Sequence, residues 1–296
     1  MARSRALRAC AEEVGEESID FTRGTPRIRR EEGIRRSGRI ESDQSKIVAT
    51  VPCYNEAPFV ADIVRQARKH VDQVIVVDDG SQDGTSNAAS AAGATLVRHM
   101  VNKGYGEAIK TCFQAGRSNG TDIMVTMDGD SQHLPAEIET LVSPILEGEA
   151  DLVIGSRLLQ LGQQTNMPRY RKFGIKAITW LVNVGSRAKV SDAQSGFRAY
   201  SREVLEAITL ADKGMGVSVE VLIRARRMGF TISEVPVSCR YHDQSSTLNP
   251  LSHGLGVALA VIKYRALTAF SSGGTAGKER KGQKGQGTAL GQCLGR

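Results

Sequence analysis

The segment QVIVVDDGSQDG, residues 73–84, decides the fold class of this 296-residue chain. It joins a continuous β-branched run, Gln73–Val77, to an acidic turn that contains glycine. A run that is apolar at every position predicts a strand buried on both faces, as in a parallel sheet covered by helices. The segment TDIMVTMDGDSQH, residues 121–133, has the same arrangement, because the strand Asp122–Met127 runs directly into Asp128-Gly129-Asp130.

Further strands and helices alternate on both sides of these two segments. The other predicted strands are Lys46–Val51, Thr95–Arg98, Asp151–Ile154 and Thr231–Val237. The predicted helices are Ala57–His70, Ser86–Ala92, Gly106–Arg117, Pro135–Leu146, Arg169–Arg187, Val217–Met228 and Pro250–Phe270, and Asp192–Arg198 is predicted to be a polar turn. The alternation predicts an α/β fold with a doubly wound, mostly parallel sheet flanked by helices.

The composition predicts one folded domain between two disordered ends. Residues 1–45 interleave Arg with Glu and Asp and show no sustained apolar period, so we expect a disordered charged extension. Residues 271–296 are rich in Gly, Lys and Gln and are expected to form a disordered basic tail. The folded domain is therefore predicted to span residues 46–270.

The overall charge points to an anionic partner without identifying it. The formal net charge is +7, which suits a nucleic acid, a phosphorylated ligand or an acidic membrane face, but also a merely soluble basic surface. The five cysteines are far apart and lack zinc-ligand spacing, so they are expected to be reduced and mostly buried. Since no run reaches the ~18 to 20 apolar residues of a membrane span, no transmembrane helix is expected.

A divalent cation is predicted at the end of the strand Asp122–Met127. Asp128 and Asp130 stand at positions i and i+2 on a turn that has just left a strand, and Gln132 follows two residues later. Oxygen ligands of this kind suit Mg²⁺ or Mn²⁺, which bind the phosphate oxygens of a substrate and offset charge on a diphosphate leaving group. The alternative is a solvated acidic turn. His133 is either a further ligand or, more simply, a surface histidine at a helix start.

Polar side chains at the other strand ends are candidates for binding a nucleotide. Asp79 can accept hydrogen bonds from a base or a ribose, although Ser81 and Asp83 also suit helix capping in this turn. Tyr54 can stack on a base, and Glu56 can bind a ligand or favour the start of the next helix. The glycine-rich segment 102–106 can turn its backbone N–H groups toward phosphate. In a doubly wound sheet all of these lie at the ligand-binding edge.

The order of these motifs resembles the family 2 inverting glycosyltransferases of GT-A fold. The resemblance rests on Pro-x-Tyr-Asn-Glu at residues 52–56, Asp-Asp-Gly-Ser-x-Asp-Gly at 78–84, Asn-Lys-Gly at 102–104, Asp-Gly-Asp-x-Gln at 128–132 and Gly-Ser-Arg at 155–157. The most similar subgroup contains dolichyl-phosphate mannose synthase and the polyprenyl-phosphate hexosyltransferases. The resemblance covers about Ile47 to Phe270, so it implies a single GT-A catalytic domain.

The resemblance also implies roles for particular residues. The donor-binding positions would be Pro52, Tyr54, Glu56, Val77, Asp79, Asp128, Gly129, Asp130, Arg157 and Arg240. The metal ligands would be Asp128, Asp130 and Gln132, and the catalytic residues Asp130, Arg157 and Glu220, where Glu220 either lies near the reacting centre or orients a basic partner. The chain departs from the subgroup where Ser245-Ser246-Thr247 stands in place of an expected lysine.

A lipid-phosphate acceptor is already anionic and needs orientation and charge screening more than a general base. The candidates for both tasks are the basic residues Arg169, Arg171, Lys172, Arg198 and Arg240, and the resemblance implies an acceptor-side turn that contains Ser195 and Arg198. The basic helix start 169–172 is equally a solvated one. The segment Leu251–Phe270 either lies in a membrane interface or packs on the core.

The metal motif and the resemblance together imply a metal-dependent hexosyltransferase that uses a GDP-mannose or UDP-glucose type donor and a dolichyl or polyprenyl phosphate acceptor. The expected cofactor is Mg²⁺ or Mn²⁺, and no nucleic acid partner is expected. The expected location is the cytosolic face of a membrane, bound peripherally. Two alternatives remain: the same chemistry on a soluble or polysaccharide acceptor, and a non-enzymatic protein that binds nucleotides or nucleic acid.

Overall fold

The computed structural model describes residues 45–159, 169–186, 189–240 and 259–264, without the side chains of residues 169–171. The predicted charged extension 1–45, apart from its last residue, and the basic tail 271–296 lie outside the described residues. So do the Ser245–Thr247 departure and most of the predicted helix Pro250–Phe270, of which residues 259–264 are described and helical.

Seven strands form one mixed, mostly parallel sheet. They are β1 (Ile47–Cys53), β2 (Gln73–Asp78), β3 (Thr95–Arg98), β4 (Ile123–Thr126), β5 (Leu152–Ser156), β6 (Arg198–Ser201) and β7 (Ile232–Pro236). Their order is β3-β2-β1-β4-β6-β5-β7, and only β6 runs antiparallel to its neighbours β4 and β5. The predicted doubly wound, mostly parallel sheet is confirmed.

Helices connect the strands and cover both faces of the sheet. They are α1 (Ala57–Ala67), α2 (Thr85–Ala91), α3 (Tyr105–Ser118), α4 (Ile138–Leu146), α5 (Arg169–Asn183), α6 (Arg202–Ala207) and α7 (Val217–Arg227), and a short 3₁₀ turn, Pro135–Glu137, precedes α4. Among the described residues, no helix has both the length and the apolar character needed to cross a membrane.

Side chains that alternate along each strand build two hydrophobic clusters on opposite faces of the sheet. On β4, Val125 belongs to one cluster and Met124 to the other; on β5, Val153 and Leu152 divide in the same way. Each large aliphatic side chain buried in this way stabilises the fold by about 1.5–3 kcal/mol. The three described cysteines, Cys53, Cys112 and Cys239, are buried, as expected, and no disulfide bond joins any of them within the described part of the chain.

Strand β6 and helix α6 were not predicted, and the expected polar turn 192–198 ends one residue into β6. The strand has only four residues, and Arg198 with Tyr200 makes it look polar, yet all four residues are buried. Ser201 then caps α6, because its side chain accepts a hydrogen bond from the backbone N–H of Val204.

The order of the strands places a crevice between β1 and β4. From β1 the chain builds outward through β2 to β3, and it then returns to place β4 on the other side of β1. At such a reversal the connections after the two strands leave in opposite directions, and ligands bind in the gap beyond the carboxyl ends. The polar segments 54–56 and 128–130 follow these two strands.

Candidate active site at the carboxyl ends of the strands

The turn that follows β1 is held in place by the turn that follows β2. The backbone N–H groups of Asn55 and Glu56 donate to Ser81 Oγ and Thr85 Oγ1, both at 2.8 Å. Asp83 Oδ2 accepts from the N–H of Ala57 and so caps the start of α1 from a separate turn. Asn55 adopts a left-handed backbone with φ of 57°, which asparagine tolerates well. These contacts fix where Glu56 stands.

The turn after β4 packs directly against the turn after β1. A Cβ atom on Gly129 would lie 2.6 Å from Cys53 Sγ and 3.4 Å from Glu56 Cγ, so only glycine fits here without movement. Ser131, with φ of 63°, then reverses the chain. The backbone N–H of Gln132 donates to Asp130 Oδ1 at 3.0 Å, and its side-chain amide donates to Asp130 Oδ2. Glu56, Asp128 and Asp130 are thereby brought together.

The carboxylate of Asp128 is positioned by three neighbours from distant parts of the chain. The Tyr105 hydroxyl donates to Oδ1 at 3.2 Å, and His133 Nε2 lies 3.6 Å from Oδ2. A Cβ atom on Gly196 would lie 2.5 Å from Oδ2, so the backbone there supports the carboxylate from one side. Although burial raises the pKa of Asp128, His133 and Tyr105 outweigh it and hold that pKa below its usual value.

The three carboxylates repel one another, and this is the observation that favours a cation. Burial, and then the charges of Asp130 and Asp128, raise the pKa of Glu56 from 4.5 to about 7. Burial and the charge of Asp128 raise the pKa of Asp130 as well. A divalent cation would relieve this repulsion, and carboxylate and amide oxygens are the ligands that Mg²⁺ and Mn²⁺ prefer. Among the described residues, no group of three or more His, Cys, Asp or Glu side chains is arranged so that it could hold a metal ion.

A buried ion pair lies at the carboxyl end of β5. Arg157 donates through Nε to Asp192 Oδ2 at 2.7 Å and through a terminal nitrogen to Oδ1 at 2.9 Å. Glu234 on β7 accepts from the backbone N–H groups of Ser191 and Asp192, which fixes the segment that carries the acid. Arg157 is close enough to the cluster to contribute to the lowered pKa of Asp128. Its planar guanidinium suits phosphate oxygens.

Asp79 lies at the expected strand end, but both of its oxygens are already hydrogen-bonded within the protein. His99 Nδ1 lies 2.6 Å from Oδ1, which also accepts from the N–H of Lys103, while Oδ2 accepts from the N–H of Gly104. Asp79 therefore organises the glycine-rich segment 102–106, and its own contact with a nucleotide stays a prediction. Tyr54, the first residue after β1, is 46% exposed, whereas Pro52 and Val77 are buried within β1 and β2.

Arg198 is placed differently from the sequence-based expectation. It is 1% exposed, and its guanidinium donates to the backbone carbonyls of Ser195, Ser218 and Ala193 at 2.7–2.8 Å. Ser195 is also fully buried and accepts from the N–H of Phe197. In this arrangement Arg198 supports the segment 193–196 under Asp128 and does not face solvent, where an acceptor phosphate would approach.

Replacing this buried arginine tests that interpretation. The Arg198→Met variant removes the charged donor that the backbone carbonyls of Ala193, Ser195 and Ser218 share, so we expect the free energy of unfolding to fall by about 3–5 kcal/mol. Urea denaturation measures it. The control Arg202→Met removes an arginine that is 47% exposed and paired with Asp122, and should cost below about 1 kcal/mol. Unchanged stability together with selective loss of lipid-phosphate use would favour direct acceptor contact.

Glu220 is fully buried and serves the loop before α7. Its carboxylate accepts from the backbone N–H groups of Ala211 and Asp212 and pairs with Arg224 Nε at 2.7 Å. Of the two roles considered for it, the structure shows the orientation of a basic partner. His133 is only 4% exposed and packs on the Phe197 ring, so the simpler expectation of a surface histidine was wrong.

The remaining basic residues are exposed or partly exposed, or their side chains lie outside the described residues. The exposed Arg240 donates its backbone N–H to the carbonyl of Gln132, which ties the segment after β7 to the segment after β4. Lys172 is partly exposed on α5. The side chains of Arg169 and Arg171 lie outside the described residues, so their predicted contacts with an acceptor phosphate stay predictions.

The raised pKa of Glu56 predicts how stability depends on pH in the absence of metal. Below 4.5 this carboxyl is protonated in both states; above about 7 it is ionised in both, and the folded protein then bears the repulsion. Stability in EDTA should therefore fall as pH rises from about 4.5 to about 7, by on the order of 1 kcal/mol for this half-buried group. In the Glu56→Gln variant the free energy of unfolding, measured by denaturation, should not show this fall with pH. The exposed control Glu149→Gln should show it as the parent does. Equal pH dependence in both variants would contradict the prediction.

The chain is similar in sequence to known glycosyltransferases. The model of the family Glycosyl transferase family 2 matches residues 49–209. A UDP-N-acetylglucosamine–dolichyl-phosphate N-acetylglucosaminyltransferase of Methanococcus voltae is 31% identical over 242 residues, which is 75% of this chain and 94% of that protein. An undecaprenyl-phosphate mannosyltransferase of Micrococcus luteus is 35% identical over 208 residues, 65% of this chain and 83% of that protein.

A solved structure shows the same fold with ligands. It is glucosyl-3-phosphoglycerate synthase of Mycobacterium tuberculosis in complex with Mn²⁺, uridine diphosphate and glucosyl-3-phosphoglycerate. The two chains are 26% identical, the TM-score is 0.58, and the match covers 75% of this chain and 80% of that one.

Proposed function

The chain belongs to glycosyl transferase family 2 and has a GT-A type fold, and from this premise we propose that it moves a hexose from a nucleotide-diphosphate sugar to a polyprenyl or dolichyl phosphate, with Mg²⁺ or Mn²⁺ bound. As a glycosyltransferase it is an enzyme, which disfavours the non-enzymatic alternative. The proposed location is the cytosolic face of a membrane, without a requirement for a spanning helix.

One observation carries the proposal: Glu56, Asp128 and Asp130 converge at the reversal between β1 and β4. Their mutual repulsion, seen in the raised pKa values of Glu56 and Asp130, leaves the site short of positive charge. A nucleoside diphosphate brings more negative charge, so a divalent cation held by these carboxylates would help the site to bind it. Such a cation would neutralise charge that develops on the leaving diphosphate.

The donor would lie along the carboxyl ends of β1, β2 and β4. Tyr54, which is 46% exposed, would stack on the nucleobase, and Asp79 holds the glycine-rich segment that would border the base and ribose. Pro52 and Val77 shape the floor of this region as buried strand residues, and Gly129 permits close approach of the two turns. Arg157, held by Asp192, and the exposed Arg240 provide positive charge for the diphosphate.

The reaction we propose is a single in-line displacement that inverts the anomeric carbon. The acceptor phosphate is ionised at neutral pH, so its oxygen needs no general base, and the site needs only to bring it opposite the leaving group. The hydrogen bond from the backbone N–H of Gln132 to the Asp130 carboxylate fixes the turn that would face the diphosphate. Arg157 is oriented by two hydrogen bonds to Asp192, so it needs little reorganisation as charge shifts to the leaving group.

The relatives support the acceptor class. The Methanococcus voltae protein is named for dolichyl phosphate and the Micrococcus luteus protein for undecaprenyl phosphate, and both are over 30% identical to this chain. A soluble acceptor is the second candidate, because the solved structure of similar fold contains glucosyl-3-phosphoglycerate, whose acceptor part is a small phosphorylated acid.

The test is a panel of radiolabelled GDP- and UDP-sugars with dolichyl phosphate, 3-phosphoglycerate or a simple sugar as acceptor, in Mn²⁺ or in EDTA. We expect transfer to dolichyl phosphate with one of the donors and loss of that transfer in EDTA. Transfer to 3-phosphoglycerate or to the sugar, without a lipid product, would establish the second candidate. Lipid transfer that is equally fast in EDTA would overturn the metal requirement.

A further inference from the structure

Helix α5 presents an apolar stripe to solvent. Phe173 is 75% exposed, Trp180 66% and Val184 42%, and Ala177 between them is exposed too. Their spacing of four, three and four residues puts them in one line along the helix. The opposite side of the same helix is buried, through Ile175, Ile178 and Val182. A soluble helix normally turns polar side chains outward, so this stripe is unusual.

Basic side chains run beside the stripe. Lys172 and Lys176, four residues apart, form a row on one flank, and Lys176 stands four residues before Trp180. The sequence from Arg169 to Asn183 contains no acidic residue. An apolar face with an aromatic anchor and lysines at its edge is the arrangement of helices that lie in the headgroup region of a bilayer.

We propose that α5 docks this enzyme on an anionic lipid surface, with Phe173, Trp180 and Val184 inserted among the acyl chain ends and the lysine row against the headgroups. The inference rests on the proposed lipid-phosphate acceptor, which is available only at such a surface. A second copy of the chain is the less suitable occupant, because a two-fold contact would set one lysine row against the other.

The inward side of α5 connects this surface to the site. Thr179 Oγ1 accepts from the backbone N–H of Ala193 at 3.1 Å, and the Asn183 side chain bonds both backbone groups of Val190. This segment carries Asp192, which orients Arg157. Because a helix with its side chains is about 10 Å thick, docking through α5 keeps this segment about one helix diameter from the lipid surface.

A second described stretch has the same character. In residues 259–264, Leu259 is 57% exposed and Ile262 59%, whereas Ala260, Val261 and Tyr264 are buried against the protein. Lys263 follows the exposed pair and is itself exposed. These residues lie in the segment that the sequence suggested for a membrane interface. They are independent support, since they belong to another part of the chain.

Trp180 makes the inference directly measurable, because it is the only tryptophan of the chain. The full-length protein is mixed with vesicles of phosphatidylcholine containing one-third phosphatidylglycerol, without any substrate. We expect the tryptophan emission to shift to shorter wavelength and brominated acyl chains to quench it. With vesicles of phosphatidylcholine alone, the shift should require about tenfold more lipid or more, since each basic residue favours an anionic surface.

Matched variants retain the fluorescent probe. Phe173→Ser should lower the affinity for anionic vesicles about tenfold, because one large apolar side chain is no longer inserted. Lys176→Glu should lower it by about tenfold through loss and reversal of one charge. The controls are Met228→Ser, an apolar residue 46% exposed at the end of α7, and Lys69→Glu at the end of α1, and both should bind within about twofold of the parent.

The outcomes separate this inference from the proposed function. Sedimentation of the protein with vesicles without a change in Trp180 emission would show attachment through another part of the chain and overturn the inference. A blue shift that follows protein concentration in the absence of lipid would show self-association through the stripe and also overturn it. Transfer to a short, water-soluble prenyl phosphate in the absence of vesicles tests the function separately. That transfer should occur in Phe173→Ser as in the parent, whereas its failure in both proteins would remove the function and leave the vesicle result standing.

Discussion

The Asp128→Asn variant is expected to lose about 10³-fold in kcat/KM for the sugar nucleotide, since loss of one preorganised charge at a site of this kind removes about 4 kcal/mol of transition-state stabilisation. The amide keeps the size of the side chain and can still accept from the Tyr105 hydroxyl. It removes the charge that a cation needs. Asp130→Asn should show a loss of similar size. Initial rates at saturating Mn²⁺ measure the effect, and titration of Mn²⁺ into the free protein measures the lost binding.

The stability of the same variant distinguishes chemistry from misfolding. Asp128 raises the pKa of both Asp130 and Glu56, so its neutralisation relieves repulsion in the metal-free protein. This relief opposes the loss of the favourable contacts of the Asp128 charge with His133 and Tyr105, so we expect the free energy of unfolding of Asp128→Asn in EDTA to stay within about 1 kcal/mol of the parent. The control Asp62→Asn, on the exposed side of α1 with a side chain 59% exposed, should change neither rate nor stability. A variant at position 128 that keeps a tenth of the parent rate would contradict the assignment of Asp128.

Much of the sheet was predictable because its strands are continuous apolar runs. The first five strands and the last were identified within two residues of their bounds, and the acidic strand ends fell at the reversal that the strand order creates. Strand β6 was missed because it begins with a charged residue. Arg198 is buried in β6 only because backbone carbonyls from two separate segments, around Ser195 and Ser218, converge on its guanidinium. A four-residue segment contains no sign of that convergence.

The sequence indicated which residues lie at the strand ends better than it indicated what each of them contacts. The sequence pointed to Asp79 as a nucleotide ligand, which stays a prediction; it did not show that this carboxylate also holds the next loop, through two backbone N–H groups, and contacts His99. The supports of Asp128 were not predicted either: Tyr105 and Gly196 lie 23 and 68 residues away in the sequence. Long-range contacts of this kind depend on how strands and loops assemble, and local pattern does not encode them.

The buried Arg198 is connected to Asp128 through the backbone of the segment 193–196. Arg198 is bonded to the carbonyls of Ala193 and Ser195, and the next residue in that segment, Gly196, packs against the Asp128 carboxylate. Thr126 on β4 donates to the carbonyl of Gly196 and closes the arrangement. Arg198 thus affects the site by fixing the position of this backbone. Its replacement should therefore lower mainly the free energy of unfolding, whereas a change at Gly196 should lower mainly the rate.

The Gly196→Ala variant should isolate the positional part of that effect, with a loss of about 10²-fold in kcat. Its Cβ atom would lie 2.5 Å from Asp128 Oδ2, and a contact that short displaces the carboxylate. The backbone at Gly196 does not require a left-handed conformation, so we expect the free energy of unfolding to change by less than about 1 kcal/mol. Gly174→Ala is the matched control, because a Cβ atom there meets no described atom within 4 Å.

A double-mutant cycle identifies Asp128 as the group that moves. In an Asp128→Asn background the displaced side chain has already lost its charge, so Gly196→Ala should lower the remaining rate by less than about threefold. The two losses are then far from additive, which is the behaviour of residues that act as one unit. Full additivity, with another 10²-fold loss in the double variant, would mean that Gly196 acts on the reaction through a contact other than Asp128.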